Sequence, residues 1–358
     1  MVRTDIRRTR TLASLGIVLC LIAFTIITFV LFEKPAQTQQ PIIEESRVQE
    51  NITNQTNNSG QEPEVLKQKL LYILHRAGNS ISIVDLERNE TIKEITVGNQ
   101  PQEMVYDKAT NSLYVTNQIS NTISVINLEK KDVVRTIKGG NSPRGIAVTE
   151  KKIYVTNVAD NVVLMIDKVL GSIEKKIPIG NTPSQLLMSE DQRKVYVLNK
   201  GSNDISIIAT SIDAFTETWF AGDNPERFAM SPHERFVYVT SLEGLVTILP
   251  VKQPEDYREM RVGLGASAIA FTPNNVLAVI VNSDENTVSL TSLTREMLLA
   301  TIDVGVDPSD VVMTQNGKTA YVSNAGSNTI SIIDVEQKTR IAEFSVNKDP
   351  QRMLLLEE

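Results

Sequence analysis

The sequence contains few of the residues that build reactive sites. Its 358 residues include two histidines, one cysteine and one tryptophan. The single cysteine, Cys20, lies in a long apolar run, which leaves the rest of the chain without a disulfide. No zinc-ligand spacing and no Cys-x-x-Cys-His haem motif can be found. We therefore predict no metal site and no cofactor.

Neither histidine lies in a pattern typical of a catalytic triad. His233 lies in "SPHERF" and is interpreted as an exposed turn residue between two strands, whereas His75 is interpreted as a satisfied loop residue. Carboxylates are plentiful enough for acid–base catalysis, but no spacing singles out a pair. The 43 acidic residues outnumber the 36 basic ones, and this excess gives no electrostatic footprint for a nucleic acid.

Helical periodicity is absent after residue 65, and a short tyrosine-containing phrase recurs instead. It reads "YVTN" at 114–117 and 154–157, "YVLN" at 196–199, "YVTS" at 238–241 and "YVSN" at 321–324. A later asparagine repeats at nearly constant spacing, at Asn79, Asn121, Asn161, Asn203, Asn286 and Asn328. A Gly-x-x-Pro turn marks most units. Repeats of this length indicate a solenoid, a propeller or an array.

Each unit contains four short runs of alternating apolar residues, which predict four strands. In the second unit they read "QEMVYD", "SLYVTN", "TISVIN" and "VVRTIKG". We expect the turn glycine to supply a positive φ and the proline to begin the next strand.

The two ends of the repeat region are complementary. The first unit begins at a second-strand phrase, and Pro350 is followed only by the octapeptide "QRMLLLEE". The two fragments together complete one blade. We therefore predict an all-β, seven-bladed β-propeller with four-stranded antiparallel blades, closed by pairing of the C-terminal strand with the N-terminal blade. An open β-solenoid is the alternative.

The tetrapeptides resemble the repeat of YVTN-family β-propellers, and the resemblance covers residues 66–358. That family includes archaeal surface-layer proteins and bacterial exported proteins. The resemblance thus implies an extracytoplasmic propeller and little about chemistry.

Four segments are predicted along the chain: a basic cytoplasmic tail (1–10), a transmembrane signal-anchor helix (11–32), a disordered stalk (33–65) and the propeller (66–358). Residues 11–32 carry no charge and would span about 33 Å as a helix. A cleaved signal peptide is the alternative, but the run is long and lacks a good cleavage site. Four arginines precede it, which predicts a cytoplasmic N-terminus and an extracellular or periplasmic propeller.

The stalk contains overlapping Asn-x-Ser/Thr sequences. The candidate glycosylation sites are Asn51, Asn54 and Asn57, with Asn89 in the first blade. Chance occurrence in an Asn/Thr-rich linker is the equal alternative.

The residues that vary after each turn proline are the candidate ligand-binding set. These positions begin the innermost strands, at the mouth of the central channel, where propeller ligands commonly bind. The candidates are Glu103, Arg144, Gln185, Glu226, Arg227, Asp310 and Arg352. A solvated ring of mutually paired charges is the competing interpretation. The recurrent asparagines, by contrast, are predicted to be structural.

The fifth unit is irregular and gives a second candidate surface. It carries "LPVKQPEDYREMRV" in place of a regular outer hairpin and follows the only tryptophan. We consider Trp219 and Tyr257 as possible anchors for a protein partner, with neutral drift as the alternative.

These observations favour a membrane-anchored propeller that binds or scaffolds surface proteins, envelope components or glycans. A hydrolase or lyase of the lactonase kind, acting at the channel mouth, is the alternative. A redox propeller with a bound cofactor is the third hypothesis. The oligomeric state and the ligand are left open.

Overall fold

The computed structural model describes residues 69–357, which form seven four-stranded antiparallel sheets. The innermost strands are β4 (Pro101–Asp107), β8 (Pro143–Val148), β12 (Pro183–Met188), β16 (Pro225–Met230), β20 (Ala266–Phe271), β24 (Pro308–Met313) and β28 (Pro350–Glu357). The second strands are β1 (Lys69–His75), β5 (Ser112–Asn117), β9 (Lys152–Asn157), β13 (Lys194–Asn199), β17 (Phe236–Ser241), β21 (Leu277–Asn282) and β25 (Thr319–Asn324).

The outer half of each sheet follows the same pattern. The third strands are β2 (Ser80–Asp85), β6 (Thr122–Asn127), β10 (Val162–Asp167), β14 (Asp204–Ala209), β18 (Leu245–Pro250), β22 (Thr287–Ser292) and β26 (Thr329–Asp334). The outermost are β3 (Glu90–Thr96), β7 (Asp132–Lys138), β11 (Ile173–Pro178), β15 (Ala214–Phe220), β19 (Arg258–Arg261), β23 (Met297–Asp303) and β27 (Thr339–Ser345). Blade 1 consists of β28 and β1–β3, and blades 2 to 7 follow in chain order.

The ring closes through the two ends of the chain, as the sequence predicts. Strand β28 pairs antiparallel with β1, in a register that sets Leu355 opposite Leu71 and Met353 opposite Ile73. Each innermost strand also contacts the innermost strand of the next blade, so the strands form a continuous circle. The chain is therefore a seven-bladed β-propeller.

The hydrophobic core lies between neighbouring blades. The residue three places after the turn proline is buried in six of the seven inner strands, as expected of a core position; Ile269 is half-buried. Clusters of buried residues join adjacent sheets, for example β5 with β1 and β21 with β25. This packing makes the mouth of the channel a rigid frame.

We call the end of the ring where the innermost strands begin the mouth face, and the opposite end the far face. The loops from second to third strands and the Gly-x-x-Pro turns lie on the mouth face. The hairpins that join first to second and third to fourth strands lie on the far face.

The recurrent asparagines are structural, as predicted. Asn121 adopts a positive φ of 57°, and its side-chain oxygen accepts a hydrogen bond from the Ser142 N–H at 2.8 Å. The same contact, always 21 residues apart, recurs from Asn79, Asn161, Asn286 and Asn328. Each of these asparagines fastens its loop to the turn that enters the next blade.

The turn glycine was expected to supply the positive φ, and for most units this is wrong. The positive φ falls on the residue just before the proline, such as Gln100 at 55° and Asp307 at 52°, whereas only Gly140 and Gly222 of the Gly-x-x-Pro glycines have a positive φ themselves. Gly98 is required for another reason: a Cβ at this position would lie only 2.7 Å from the Asn117 side chain and would clash with it. The buried tetrapeptide asparagine occupies the place that a side chain at the turn would need.

Blade 5 departs from the repeat, as its sequence indicates. Its outer strand, β19, has only four residues and follows a single 3-10 turn at Pro254–Asp256. A second 3-10 turn, Pro232–Glu234, joins β16 to β17.

The predicted tail, transmembrane segment and stalk lie outside the described residues, together with Asn51, Asn54 and Asn57. Within residues 69–357, no helix has the length and apolar character needed to cross a membrane.

Candidate functional site

Charged side chains from several blades meet at the mouth of the channel. They surround a small polar cavity of about 100 Å³. Its lining residues are Arg76, Pro101, Gln102, Arg144, Glu226, Arg227, Gln351 and Arg352. A shallower depression of about 220 Å³ adjoins it and shares Arg76, Glu226, Arg227 and Gln351. Four of the seven predicted ligand-binding residues thus line one cavity.

Ion pairs between blades hold this frame. Arg352 Nε lies 3.0 Å from Glu103 Oε2, which connects blade 1 to blade 2. Arg227 Nη1 lies 3.0 Å from Asp310 Oδ1, a pair that passes over blade 6 and joins blade 5 to blade 7. The residue of blade 6 at this level is Ala268, which is small enough to leave room for the crossing.

A third pair involves a residue that the sequence interpretation did not include. Lys200 binds Glu226, connecting blade 4 to blade 5. Lys200 and Arg76 each directly follow the last residue of a second strand, so they enter the mouth from the loops rather than from the inner strands. A charged residue directly after the tetrapeptide was the signal that could have identified both.

Two of the predicted binding residues have structural roles. Gln185 Oε1 accepts a hydrogen bond from the Phe228 N–H of the next blade at 3.0 Å. Asp310 Oδ2 accepts the equivalent bond from the Met353 N–H at 2.8 Å. These side chains fasten neighbouring inner strands together, and Asp310 does so while also pairing with Arg227.

Arg144 differs from the paired cations of this ring, Arg227, Arg352 and Lys200. Within residues 69–357 its guanidinium forms no ion pair, although Glu226 and Glu103 lie near enough to influence it. Burial lowers the pKa of Arg144, Glu226 and Glu103 oppose the shift, and Arg227 and Arg76 reinforce it. In addition, Nη1 of Arg352 is buried without a hydrogen-bond acceptor in the described part of the chain. The mouth therefore has donors to spare for an anion.

Two carboxyl groups at the mouth have raised pKa values. Burial raises the pKa of Glu103 to about 7, although Arg227 and Arg144 act against the shift. Burial likewise raises the pKa of Asp310 to about 6, opposed mainly by Arg227. Taking these carboxylates out of water disfavours their charged forms more than the neighbouring cations favour them.

His75 is not the loop residue that was expected. It ends β1, is fully buried, and neither ring nitrogen has a hydrogen bond of normal geometry within residues 69–357. Burial lowers the pKa of His75, with the backbone of Lys348 and the carboxylate of Glu94 acting in the opposite direction. His233 is exposed in a turn, as predicted.

The second candidate surface is only partly as expected. Trp219 is 5% exposed and packs against Tyr196 with ring centroids 5.4 Å apart, so most of its side chain lies in the core, although it also lines a surface depression with Phe220 and Tyr257. Tyr257 is 42% exposed and contacts Phe220, which is 43% exposed, at 5.3 Å. The exposed aromatic pair is therefore Phe220 and Tyr257.

The fourth candidate glycosylation site is the one that lies within the described residues. Asn89 lies in an exposed far-face turn between β2 and β3. Over residues 69–357, no group of three or more His, Cys, Asp and Glu side chains is placed to hold a metal ion.

Comparisons with known proteins identify the fold. No protein-family model matches the chain, and no curated protein matches its sequence. Hydrazine synthase of Kuenenia stuttgartiensis is similar in structure with a TM-score of 0.66 and 20% identity, over 74% of this chain and 92% of that one. A functionally unknown protein of Desulfotomaculum acetoxidans gives a TM-score of 0.70 and 11% identity, over 80% and 99%.

A third similar structure is the dihydro-heme d1 dehydrogenase NirN in complex with DHE. Its TM-score is 0.64 at 14% identity, over 78% of this chain and 64% of that chain. Proteins named for different activities thus share this architecture at low identity. What the comparisons show for this chain is the propeller fold.

Proposed function

We propose that the chain is a binding module that recognises an anionic group of a surface partner at the mouth of its propeller. The observation that carries the proposal is Arg144, a half-buried cation that has no carboxylate partner within residues 69–357 and lies beside three inter-blade ion pairs. The paired charges fix the frame, and Arg144 with the unoccupied Nη1 of Arg352 supplies donors to a carboxylate, sulfate or phosphate.

The rigidity of the mouth favours binding over induced rearrangement. Its charged residues are tied to different blades, and each blade is fixed by a packed interface. A ligand would therefore find its donors already oriented, which lowers the entropy lost on binding. The cavity of about 100 Å³ has room for an acidic group rather than for a whole molecule. Such a group would be presented by a larger partner.

The setting of the module is also a proposal. Residues 11–32 would anchor it, residues 33–65 would space it from the membrane, and the partner would be a protein or glycan of the cell surface or envelope. The resemblance of the tetrapeptides to the YVTN repeat supports an exported location.

Capture from the native envelope tests the proposal. The full-length chain would be incubated with envelope extract, the recovered partner identified, and its Kd measured against the wild type and Arg144→Ala. We expect Arg144→Ala to weaken binding at least about tenfold, as for the loss of a charge-assisted hydrogen bond. Arg193→Ala is the matched control, because Arg193 is an exposed far-face arginine and its loss should not change the Kd. Unaltered affinity of Arg144→Ala would rule the site out.

One observation favours the catalytic alternative. A buried carboxyl with a pKa of about 7, that of Glu103, is suited to general acid–base catalysis in a hydrolase or lyase. Screening the purified chain against lactones and esters, with Glu103→Gln alongside, addresses this directly. Turnover that disappears in Glu103→Gln would replace the binding proposal with an enzymatic one.

A further inference from the structure

A larger cleft lies on the far face, away from the channel mouth. It opens between blades 5 and 6 and has a volume of about 600 Å³. Blade 5 contributes His233, Arg235, Phe236, Tyr238 and Arg258. Blade 6 contributes its two far-face turns, around Asn275 and Thr294. A volume of this size matches the range typical of small-molecule sites.

The repeat provides an internal comparison, because the groove between blades 3 and 4 is filled. There the Tyr154 hydroxyl donates to Asp213 Oδ1 at 2.8 Å, and Lys152 pairs with the same carboxylate. Asp213 lies in the turn between the third and fourth strands of blade 4, with a positive φ of 50°. These three side chains close the groove with their own hydrogen bonds.

The same three positions are rearranged between blades 5 and 6. Tyr238 is the equivalent of Tyr154, Phe236 replaces Lys152, and Glu296, with a φ of 51°, replaces Asp213. Glu296 is turned to Arg258, with Oε1 2.7 Å from Nη2. The Tyr238 hydroxyl consequently makes no hydrogen bond within residues 69–357 and faces the cleft.

The turn at the edge of the cleft is also unusual. His233 and Glu234 have positive φ values of 65° and 49°, whereas the equivalent turns of blades 4 and 6 place only Gln192 and Asn275 in this region. Two successive non-glycine residues in the left-handed region are costly and persist only where the surroundings hold them. The Glu234 carboxylate accepts a hydrogen bond from the Glu190 N–H of blade 4, which fixes the turn. The exposed His233 is thereby held beside the cleft.

The lining combines an apolar wall with an uncompensated cation. Phe236 packs at 6.3 Å from Tyr238, which lies 5.0 Å from Phe271, and Leu293 adds aliphatic surface. Arg258 lies over the Phe236 ring at 5.5 Å and is already paired with Glu296. Arg235 is exposed and has no ion pair in the described part of the chain. The wall suits a flat ring, the Tyr238 hydroxyl suits a hydrogen-bonding substituent, and Arg235 suits a carboxylate.

We propose that this far-face cleft binds a small ring compound that carries a carboxylate. The ring lies against Phe236 and Leu293, the Tyr238 hydroxyl bonds a polar group on the ring, and Arg235 pairs with the carboxylate. Two sources share this chemistry, aromatic acids and acidic sugars. The site is separate from the channel mouth, so neither proposal depends on the other.

Titration of the full-length chain with two probes tests the proposal. The probes are 4-hydroxyphenylacetate and galacturonate, followed by calorimetry or by NMR shifts. At least one should bind with a Kd of about 1 mM or tighter, given the usual limits of affinity per atom. Binding of 4-hydroxyphenylacetate would indicate an aromatic acid as the ligand, and binding of galacturonate would indicate an acidic sugar. 4-Hydroxyphenylacetamide, which keeps the ring hydroxyl and lacks only the carboxylate, should bind at least about tenfold more weakly than 4-hydroxyphenylacetate if the aromatic acid is the ligand.

Matched variants separate ligand contact from stability. Tyr238→Phe should weaken binding of the probe several-fold, up to about tenfold, without loss of stability, because the hydroxyl that it removes has no hydrogen-bond partner among residues 69–357. Arg235→Ala should weaken it about tenfold or more. Tyr154→Phe should do the reverse, lowering stability through the lost bond to Asp213 while leaving the Kd unchanged. Failure of both probes to saturate at about 10 mM, or equal affinity in wild type, Tyr238→Phe and Arg235→Ala, would overturn the proposal.

Discussion

Blade 1 replaces two residues of the repeat together. In blades 2, 6 and 7 a glycine at the turn makes room for the buried tetrapeptide asparagine, whose amide donates to hydroxyls five and seven residues later, as Asn117 does to Thr122 and Ser124. In blade 1 the asparagine is His75, and the glycine position is Asn347. The Asn347 amide donates to Ser82, the hydroxyl equivalent to Ser124, at 3.3 Å. In blade 1 the turn residue Asn347 therefore supplies the amide that the tetrapeptide asparagine supplies in those other blades.

This exchange predicts a strongly non-additive pair of substitutions. His75→Asn alone should destabilise, because the new amide would compete for space with Asn347. Asn347→Gly alone should also destabilise, because it leaves the Ser82 hydroxyl without its donor. The double variant restores the repeat and should be more stable than the sum of the single changes by about 1–3 kcal/mol. Chemical denaturation of the four proteins measures the coupling, and simple additivity would contradict the proposed exchange.

The raised pKa of Glu103 predicts a stability change with pH. Because the folded state holds its proton up to about pH 7, while the unfolded carboxyl loses it near 4.5, the folded chain binds more protons between these values. Stability should therefore fall as pH rises through that window, and Asp310 should add to the fall below pH 6.

Glu103→Gln isolates this contribution. The variant should remove the part of the decline that Glu103 causes between about pH 4.5 and 7, and should keep the part that Asp310 causes below pH 6. The difference should be on the order of 1 kcal/mol, since one pKa unit corresponds to about 1.4 kcal/mol. Denaturation at several pH values measures it, with Glu217→Gln as an exposed control that should keep the wild-type slope. An unchanged slope in Glu103→Gln would show that Glu103 titrates normally.

At the scale of the element, an asparagine in the loop between second and third strands fastens five of the seven blades to the next. Asn121 and Asn203 occupy the same place in blades 2 and 4 with nearly the same φ, 57° and 55°. Asn121 bonds the Ser142 N–H, whereas the Asn203 side chain makes no hydrogen bond within residues 69–357. The two positions share backbone conformation and differ in the connection between blades.

This difference predicts unequal effects of the same substitution. Asn203→Ala should cost only the strain of a left-handed alanine, about 1 kcal/mol. Asn121→Ala should cost the same strain and, in addition, about 0.5–1.5 kcal/mol for the lost hydrogen bond to the Ser142 N–H. Thermal or chemical unfolding compares the two variants directly. Equal losses would mean that the bond to Ser142 adds nothing to stability.

At the scale of the whole molecule, closure of the ring depends on a single strand from the C-terminus. Strand β28 covers the edge of β1 and also contacts β4 and β24 on either side. Without it, β1 would present unpaired backbone groups, and the core facing blades 2 and 7 would be open to water.

We therefore expect removal of residues 350–358 to abolish cooperative unfolding and to cause aggregation. The control is a rearranged chain that keeps the residues of β28 but carries them at another place in the sequence. It carries residues 350–357 ahead of Lys69, joined by a turn like those between other first and second strands. This chain should regain cooperative unfolding, because the blade then has the order of the other six. A soluble, cooperatively folded truncation would contradict closure by β28.

The sequence by itself determined the number of blades, the four strands of each and the closure by the last octapeptide. Those features follow from the alternation of apolar and polar residues within each strand and from a pattern that recurs every 40 to 42 residues. It also identified the ring of variable residues at the mouth, because a position at which the residue differs from unit to unit is not explained by the repeat.

Only the tertiary structure decided how those residues pair and which remain free. Arg227 reaches across blade 6 to Asp310, Lys200 enters from a loop, and Gln185 bonds the next strand. The burial of Trp219 and the opening of the far-face cleft likewise depend on the neighbouring blade. Contacts between residues from 26 to 249 positions apart arise when the ring closes, and local pattern carries no information about them.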